Sequence, residues 1–210
     1  MYADIAETYQ RKKTKRGTVE MKTDIILCGV GGQGILSIAT VIGEAAINEG
    51  LYIKQAEVHG MSQRGGDVQS NLRISSFLIH SDLIASGQAD VIISMEPMEA
   101  LRYLPYLNKK TGWIITSDKP FVNIPNYPNI DAIKAEYNKL PNVVSIDIET
   151  IAKNNGIPRS ANMVLLGAAL KAIGLERDKI EDAIKRVFLC KGEDVINANI
   201  KALDLGINFK

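Results

Sequence analysis

The chain has 210 residues, enough for one domain with room for an appendage at about 150 residues per domain. Hydrophobic residues make up 46% and charged residues 23%, so a sizeable core can form and a disordered chain is excluded. The 25 Lys+Arg nearly balance the 24 Asp+Glu and aromatics are 6%, which argues against both a phosphate-tracking and a base-stacking nucleic-acid surface.

The first 20 residues stand apart. The run Arg11-Lys12-Lys13-Thr14-Lys15-Arg16 has charge without apolar period, so residues 1–20 read as a flexible extension and 21–210 as a single domain. A second Met, Met21, stands just before the first apolar run. Residues 23–28 predict a buried strand that stops at glycine. Residues 35–48 predict a helix with Leu36, Ala39, Ile42 and Ala46 on one face and Gly50 as its stop. A strand follows over 52–58, then a loop over 59–66. Val68, Ser70, Leu72 and Ile74 alternate with Gln69, Asn71 and Arg73, the pattern of a half-buried strand. Residues 89–95 read as another buried strand, and Pro97 opens a helix running to 107. A strand over 113–116, a Pro-rich excursion over 120–128, a helix over 131–140 and a strand over 143–146 come next. From 147 onward the pattern is helical, over 148–155, 161–173, 177–188 and 194–205, with Ser160 and Asp178 as helix-start residues. Strands alternating with helices predict an α/β fold of three layers, a largely parallel, Rossmann-like sheet with a helical C-terminal region.

Two cysteines, Cys28 and Cys190, cannot by themselves ligate a four-cysteine iron–sulfur cluster or zinc. Both follow apolar residues and read as buried, reduced thiols. His59 and His80 are the only histidines, too few for a His-rich metal site. There is no run of about 18 apolar residues and no apolar signal region, so no membrane span and a cytoplasmic setting are expected.

Two constellations carry chemistry. Gly29-Val30-Gly31-Gly32-Gln33-Gly34 has the G-x-G-x-x-G spacing between a strand and a helix, where backbone amides and the helix dipole favour an anion. Glu57 lies near the place where a dinucleotide fold holds a ribose, although Gln33 is unusual for such a turn. The second is Glu57-Val58-His59-Gly60-Met61-Ser62-Gln63-Arg64-Gly65-Gly66, expected at the same edge of the sheet. There Arg64 suits a bidentate grip on carboxylate or phosphate, Gly65 and Gly66 let the chain turn, and Glu57 can orient His59. Ser62 lacks a nucleophile elbow, and no catalytic triad is evident. The plainer readings are a tight turn holding nothing and a mutually satisfied interface loop.

Together these stretches resemble the gamma subunit or domain of the 2-oxoacid:ferredoxin oxidoreductases, most closely in the indolepyruvate branch. Glu96-Pro97-Met98-Glu99-Ala100-Leu101-Arg102-Tyr103 and Asn162-Met163-Val164-Leu165-Leu166-Gly167-Ala168 extend the similarity from residue 21 to at least 174. The resemblance implies a subunit of a complex that oxidatively decarboxylates a 2-oxoacid, joins the acyl group to coenzyme A and reduces ferredoxin. It places thiamine diphosphate, Mg²⁺ and iron–sulfur clusters on a large (alpha) partner subunit. This chain would bind no cofactor alone and would shape the site and the interface. Gly29, Gly31, Gly32, Gln33, Gly34, Glu57, His59, Ser62, Gln63, Arg64, Gly65 and Gly66 are the ligand or interface candidates. The alternatives are a stand-alone NAD or FAD oxidoreductase domain with Glu57 on the ribose, and a purely structural adaptor.

Overall fold

The computed structural model describes residues 20–59, 65–122 and 124–209. The expected N-terminal extension therefore lies, except for Glu20, outside the described residues. Six strands, β1 (Lys22–Val30), β2 (Tyr52–His59), β3 (Asp67–Ser75), β4 (Val91–Ser94), β5 (Trp113–Ser117) and β6 (Val143–Ile146), form one sheet in the order β2-β3-β1-β4-β5-β6. Between and after them come α1 (Ile35–Asn48), α2 (Pro97–Arg102), α3 (Ile130–Tyr137), α4 (Ile148–Asn154), α5 (Ala161–Ile173), α6 (Arg177–Val187) and α7 (Glu193–Ile207).

The apolar run of β1 is buried on both faces, every residue after Lys22 being covered. Alternation then sorts its side chains between two layers. Ile25 and Leu27 join α1, α5, α6 and α7 in the larger core, while Ile26 and Cys28 join Ala100 and Tyr103 and, from α3, Ile133 and Tyr137 in the smaller one. This is the expected three-layer architecture. The strands β1, β4, β5 and β6 are mutually parallel.

The second strand in sequence is not the neighbour of the first. β3 pairs antiparallel with both β1 and β2, so the β2–β3 hairpin extends the sheet beyond β1. The half-buried alternation predicted for β3 also gives way, because Asn71 is only 4% exposed. Arg73 on the same face is engaged too. Its guanidinium donates twice to the Asp24 carboxylate (2.7 and 3.1 Å) and to the carbonyls of Ser81 and Leu83 (both 3.1 Å), drawing that segment over the polar face. Asp24 is itself 1% exposed, and removing one member of such a pair costs about 3–5 kcal/mol.

Other boundaries differ for local reasons. The helix expected over 97–107 ends at Arg102 and resumes as a 3-10 turn, Leu104–Tyr106, because Pro105 cannot donate to a continuing α-helix. Glu176, not Asp178, occupies the cap position of α6; Asp178 sits in the first turn, where its charge still faces the positive helix end. Cys28 is buried as expected, and burial pushes its thiol up to about 12. Cys190, expected to be buried, is exposed: it lies in the 3-10 turn Leu189–Lys191, where Phe188 turns inward and Leu189 is left in solvent. A thiol reagent applied to the native chain at pH 8 should therefore titrate Cys190 rapidly and Cys28 only on unfolding; equal rates would contradict this packing.

The last helix, α7, approaches α5 at two glycines. A Cβ on Gly167 would stand 2.1 Å from the Leu203 carbonyl oxygen, and one on Gly206 would stand 1.9 Å from that of Val164. Backbone cannot yield there as a side-chain end would. Gly206→Ala should lower stability by about 1–3 kcal/mol or more in a urea melt of the full-length chain, and an unchanged midpoint would show that the helices readily separate.

Candidate functional site at the carboxyl edge of the sheet

The order of strands puts β1 between α1 on one face and α2 on the other, so the end of β1 is the switch point where open α/β sheets receive ligands. The glycine turn sits there. Gly29 has φ +153°, and a Cβ on it would meet Ile35 Cδ1 at 2.6 Å and Gln33 Oε1 at 2.8 Å. Glycine is therefore required by contact as well as by torsion. Gly34, at φ 86° and ψ 23°, caps α1 with no side-chain bond.

Gln33 closes this turn from within. Its Oε1 accepts from the Val30 amide (2.7 Å), and its Nε2 donates to the Met95 carbonyl at the end of β4 (3.3 Å). Of the turn amides, Gly31 donates to the Gly66 carbonyl (2.8 Å) and Gln33 to that of Val30 (3.2 Å). The Gly32 and Gly34 amides have no partner among the described residues. With the first amides of α1 they form the anion-favouring part of the turn. They border a cavity of about 460 Å³ lined by Val30, Ile35, Leu36, Ser37 and Val68 besides the glycines.

The two predicted constellations meet. The Gly65 amide donates to the Gly31 carbonyl (3.4 Å), reciprocating the Gly31–Gly66 bond, so the hairpin tip is stitched to the turn. His59, Val68 and Gly29 fall in one cross-strand register. Ser62, Gln63 and Arg64 lie outside the described residues. Glu57 is not beside the turn: it pairs with Ser70, which pairs with Leu27, two strand spacings or about 9–10 Å across the sheet. Its carboxylate accepts from Gln55 Nε2 (2.6 Å). A ribose-holding acid belongs on the parallel strand next to β1, and here the antiparallel β3 fills that place. The expectation that Glu57 lies near a ribose position is corrected accordingly.

Long-range partners complete the edge. Asn162, at the head of α5, donates from Nδ2 to the Gly34 carbonyl (3.1 Å). Glu96, fully buried at the end of β4, accepts from the amides of Glu99 (2.9 Å) and Phe121 (3.3 Å) and from the Tyr127 hydroxyl. Burial, then that bond, raises the Tyr127 phenol above its ordinary range. These contacts pin the Pro-rich excursion against α2. Local spacing announces only the Glu96–Glu99 cap; the bonds to Phe121, Tyr127 and Gly34 span more than 20 positions.

Comparison with known proteins agrees with this geometry. The family described as pyruvate ferredoxin/flavodoxin oxidoreductase matches residues 24–209, and the chain belongs to it. It is 37% identical over 198 residues to the indolepyruvate oxidoreductase subunit IorB of Archaeoglobus fulgidus, covering 90% of this chain and 95% of that one. It is likewise 37% identical over 196 residues to IorB of Pyrococcus horikoshii, covering 88% and 94%. Among solved structures, the gamma subunit of a keto/oxoacid ferredoxin oxidoreductase from Geobacter sulfurreducens superposes with a TM-score of 0.62 at 26% identity, over 88% of this chain and 95% of that one. The relatives are named as subunits, so they work within larger assemblies. Among the described residues, no helix is long and apolar enough to cross a membrane, and no group of three or more His, Cys, Asp or Glu is placed to hold a metal.

Replacing Gln33 by alanine should strand the amide of Val30, a buried residue, at a cost of about 1–3 kcal/mol. Hydrogen exchange at Val30 should accelerate about tenfold or more relative to Ile26; unaltered protection would show that the turn closes without this side chain.

Proposed function

We propose that this chain is the gamma-type subunit of a 2-oxoacid:ferredoxin oxidoreductase that takes indolepyruvate or a related arylpyruvate to its acyl-coenzyme A. One observation carries the reading. The glycine turn and the hairpin tip, joined at Gly31 and Gly66, form the switch-point edge of a chain similar to IorB along nearly its whole length. A larger alpha subunit brings thiamine diphosphate, Mg²⁺ and iron–sulfur clusters, and ferredoxin takes the electrons in a cytoplasmic setting. Two cysteines cannot ligate a four-cysteine cluster, which favours a partner-borne electron path.

This chain's residues then position and exclude. The Gly32 and Gly34 amides, the positive end of α1 and Arg64 meet an anionic group, either a coenzyme A phosphate or a carboxylate of the partner. Val30, Ile35 and Val68 give that opening apolar walls that keep water from the reacting end. Gln33 acts by holding the turn in shape, since both ends of its amide are engaged within the fold.

The purified chain should show no indolepyruvate- and coenzyme A-dependent reduction of a viologen dye, and turnover should appear on co-expression with the large partner. Turnover by the chain alone would overturn the assignment. In the assembled complex, Arg64→Ala should raise the KM for coenzyme A about tenfold if the anion is the phosphate, or abolish co-purification if it is the partner's carboxylate. No change in either would eliminate both roles for Arg64.

A further inference from the structure

A hollow of about 660 Å³ opens at the amino edge of the sheet, where Trp113 begins β5, opposite the edge that carries the glycine turn. It lies between the carboxyl ends of α5 and α7 and the strands β5 and β6. We propose that this hollow binds an aromatic α-amino acid, with the ring inside, the carboxylate on Lys171 and the ammonium on Glu176. The proposal goes beyond the subunit assignment and does not depend on it.

The hollow follows from the way α7 meets α5. Gly167 and Gly206 let the two helices touch at backbone distance. Beyond that contact α5 carries Ala168, Ala172 and Gly174, too small to fill the space against β5 and β6. Ile115, Leu170 and Leu175, all buried, form apolar wall. A cavity of this volume with apolar walls and few polar groups has the make-up of a small-molecule site. The second argument is aromatic. Trp113 and Phe209 line the hollow while 40% and 41% exposed, and among the described residues neither ring has an aromatic partner. Their faces are therefore open to a ring of the ligand. The third argument is charge. Of the charged side chains at the mouth, Arg177 is held by Asp204 and Glu181. Lys171 and Glu176 are exposed, and their side chains form no hydrogen bond or ion pair among the described residues. α7 ends here with no basic residue in its last turn, so its terminal carbonyls favour an ammonium. One free cation and one free carboxylate beside aromatic walls complement a zwitterion with an aromatic side chain. A plain acid or a plain amine would answer only one of the two.

Trp113 is the only tryptophan of the chain, so its emission reports on the hollow directly. The test is titration of the full-length chain with L-phenylalanine, which does not absorb at 295 nm, followed by that emission and by calorimetry. Both signals should saturate together. 2-Phenylethylamine, which lacks the carboxylate, and 3-phenylpropionate, which lacks the ammonium, should each bind about fivefold more weakly, the contribution of one exposed ion pair. Glu176→Gln should weaken phenylalanine about fivefold and leave 3-phenylpropionate unchanged. Lys171→Gln should weaken phenylalanine by a similar factor and leave 2-phenylethylamine unchanged. Absence of saturation in either signal, analogues that bind as tightly as the amino acid, or variants that keep the parent affinity for phenylalanine would each overturn the proposal. The analogue series needs no substitution, so it decides the matter even if a variant fails to fold. Turnover of the assembled complex tests the subunit assignment separately, and neither result bears on the other.

Discussion

The closeness with which β1 turns into α1 governs the whole carboxyl edge. At Gly29 the strand passes within contact of Ile35 and Gln33 with no space for a Cβ. That closeness is what lets Gln33 reach back to the Val30 amide and outward to the Met95 carbonyl. The ends of β1 and β4 are thereby fixed relative to each other, and Glu96 just beyond β4 can anchor the excursion that follows β5. A wider turn would separate these bonds together.

The sequence made some of this legible and hid the rest, for physical reasons. α1 and α5 could be bounded to the residue because each has apolar periodicity and a glycine beside its end. The glycine turn was visible because its spacing is local. The place of β3 was not, since strand order depends on pairing that leaves no mark on a strand's own composition. Its polar face looked like solvent face, yet Asn71 is buried and Arg73 is held by Asp24, 49 positions away. Gln33 stood out as unusual in its motif, but that its amide is engaged inward depends on Met95, 62 positions away. The burial expected of Cys190 failed because neighbouring apolar residues do not share a side once a 3-10 turn intervenes.

What distinguishes this edge from a dinucleotide-binding one is the hairpin. A Rossmann unit would set a parallel strand and its acidic residue beside β1. Here an antiparallel strand occupies that position, and Gly65 and Gly66 are bonded to the turn instead. The free amides of Gly32 and Gly34 remain at the turn, while the acidic residue that would recognise a ribose is not beside it. An edge of that kind suits a ligand or a neighbour presented by another polypeptide, which accords with relatives that are named as subunits.

The pair of backbone bonds between Gly31 and the Gly65–Gly66 segment has a mechanical consequence. Both partners are main chain, so neither can slip by changing rotamer, and glycine at every joint leaves torsion as the compliant coordinate. Any displacement of the Gly65–Gly66 segment is therefore passed through main chain to the turn that opens α1.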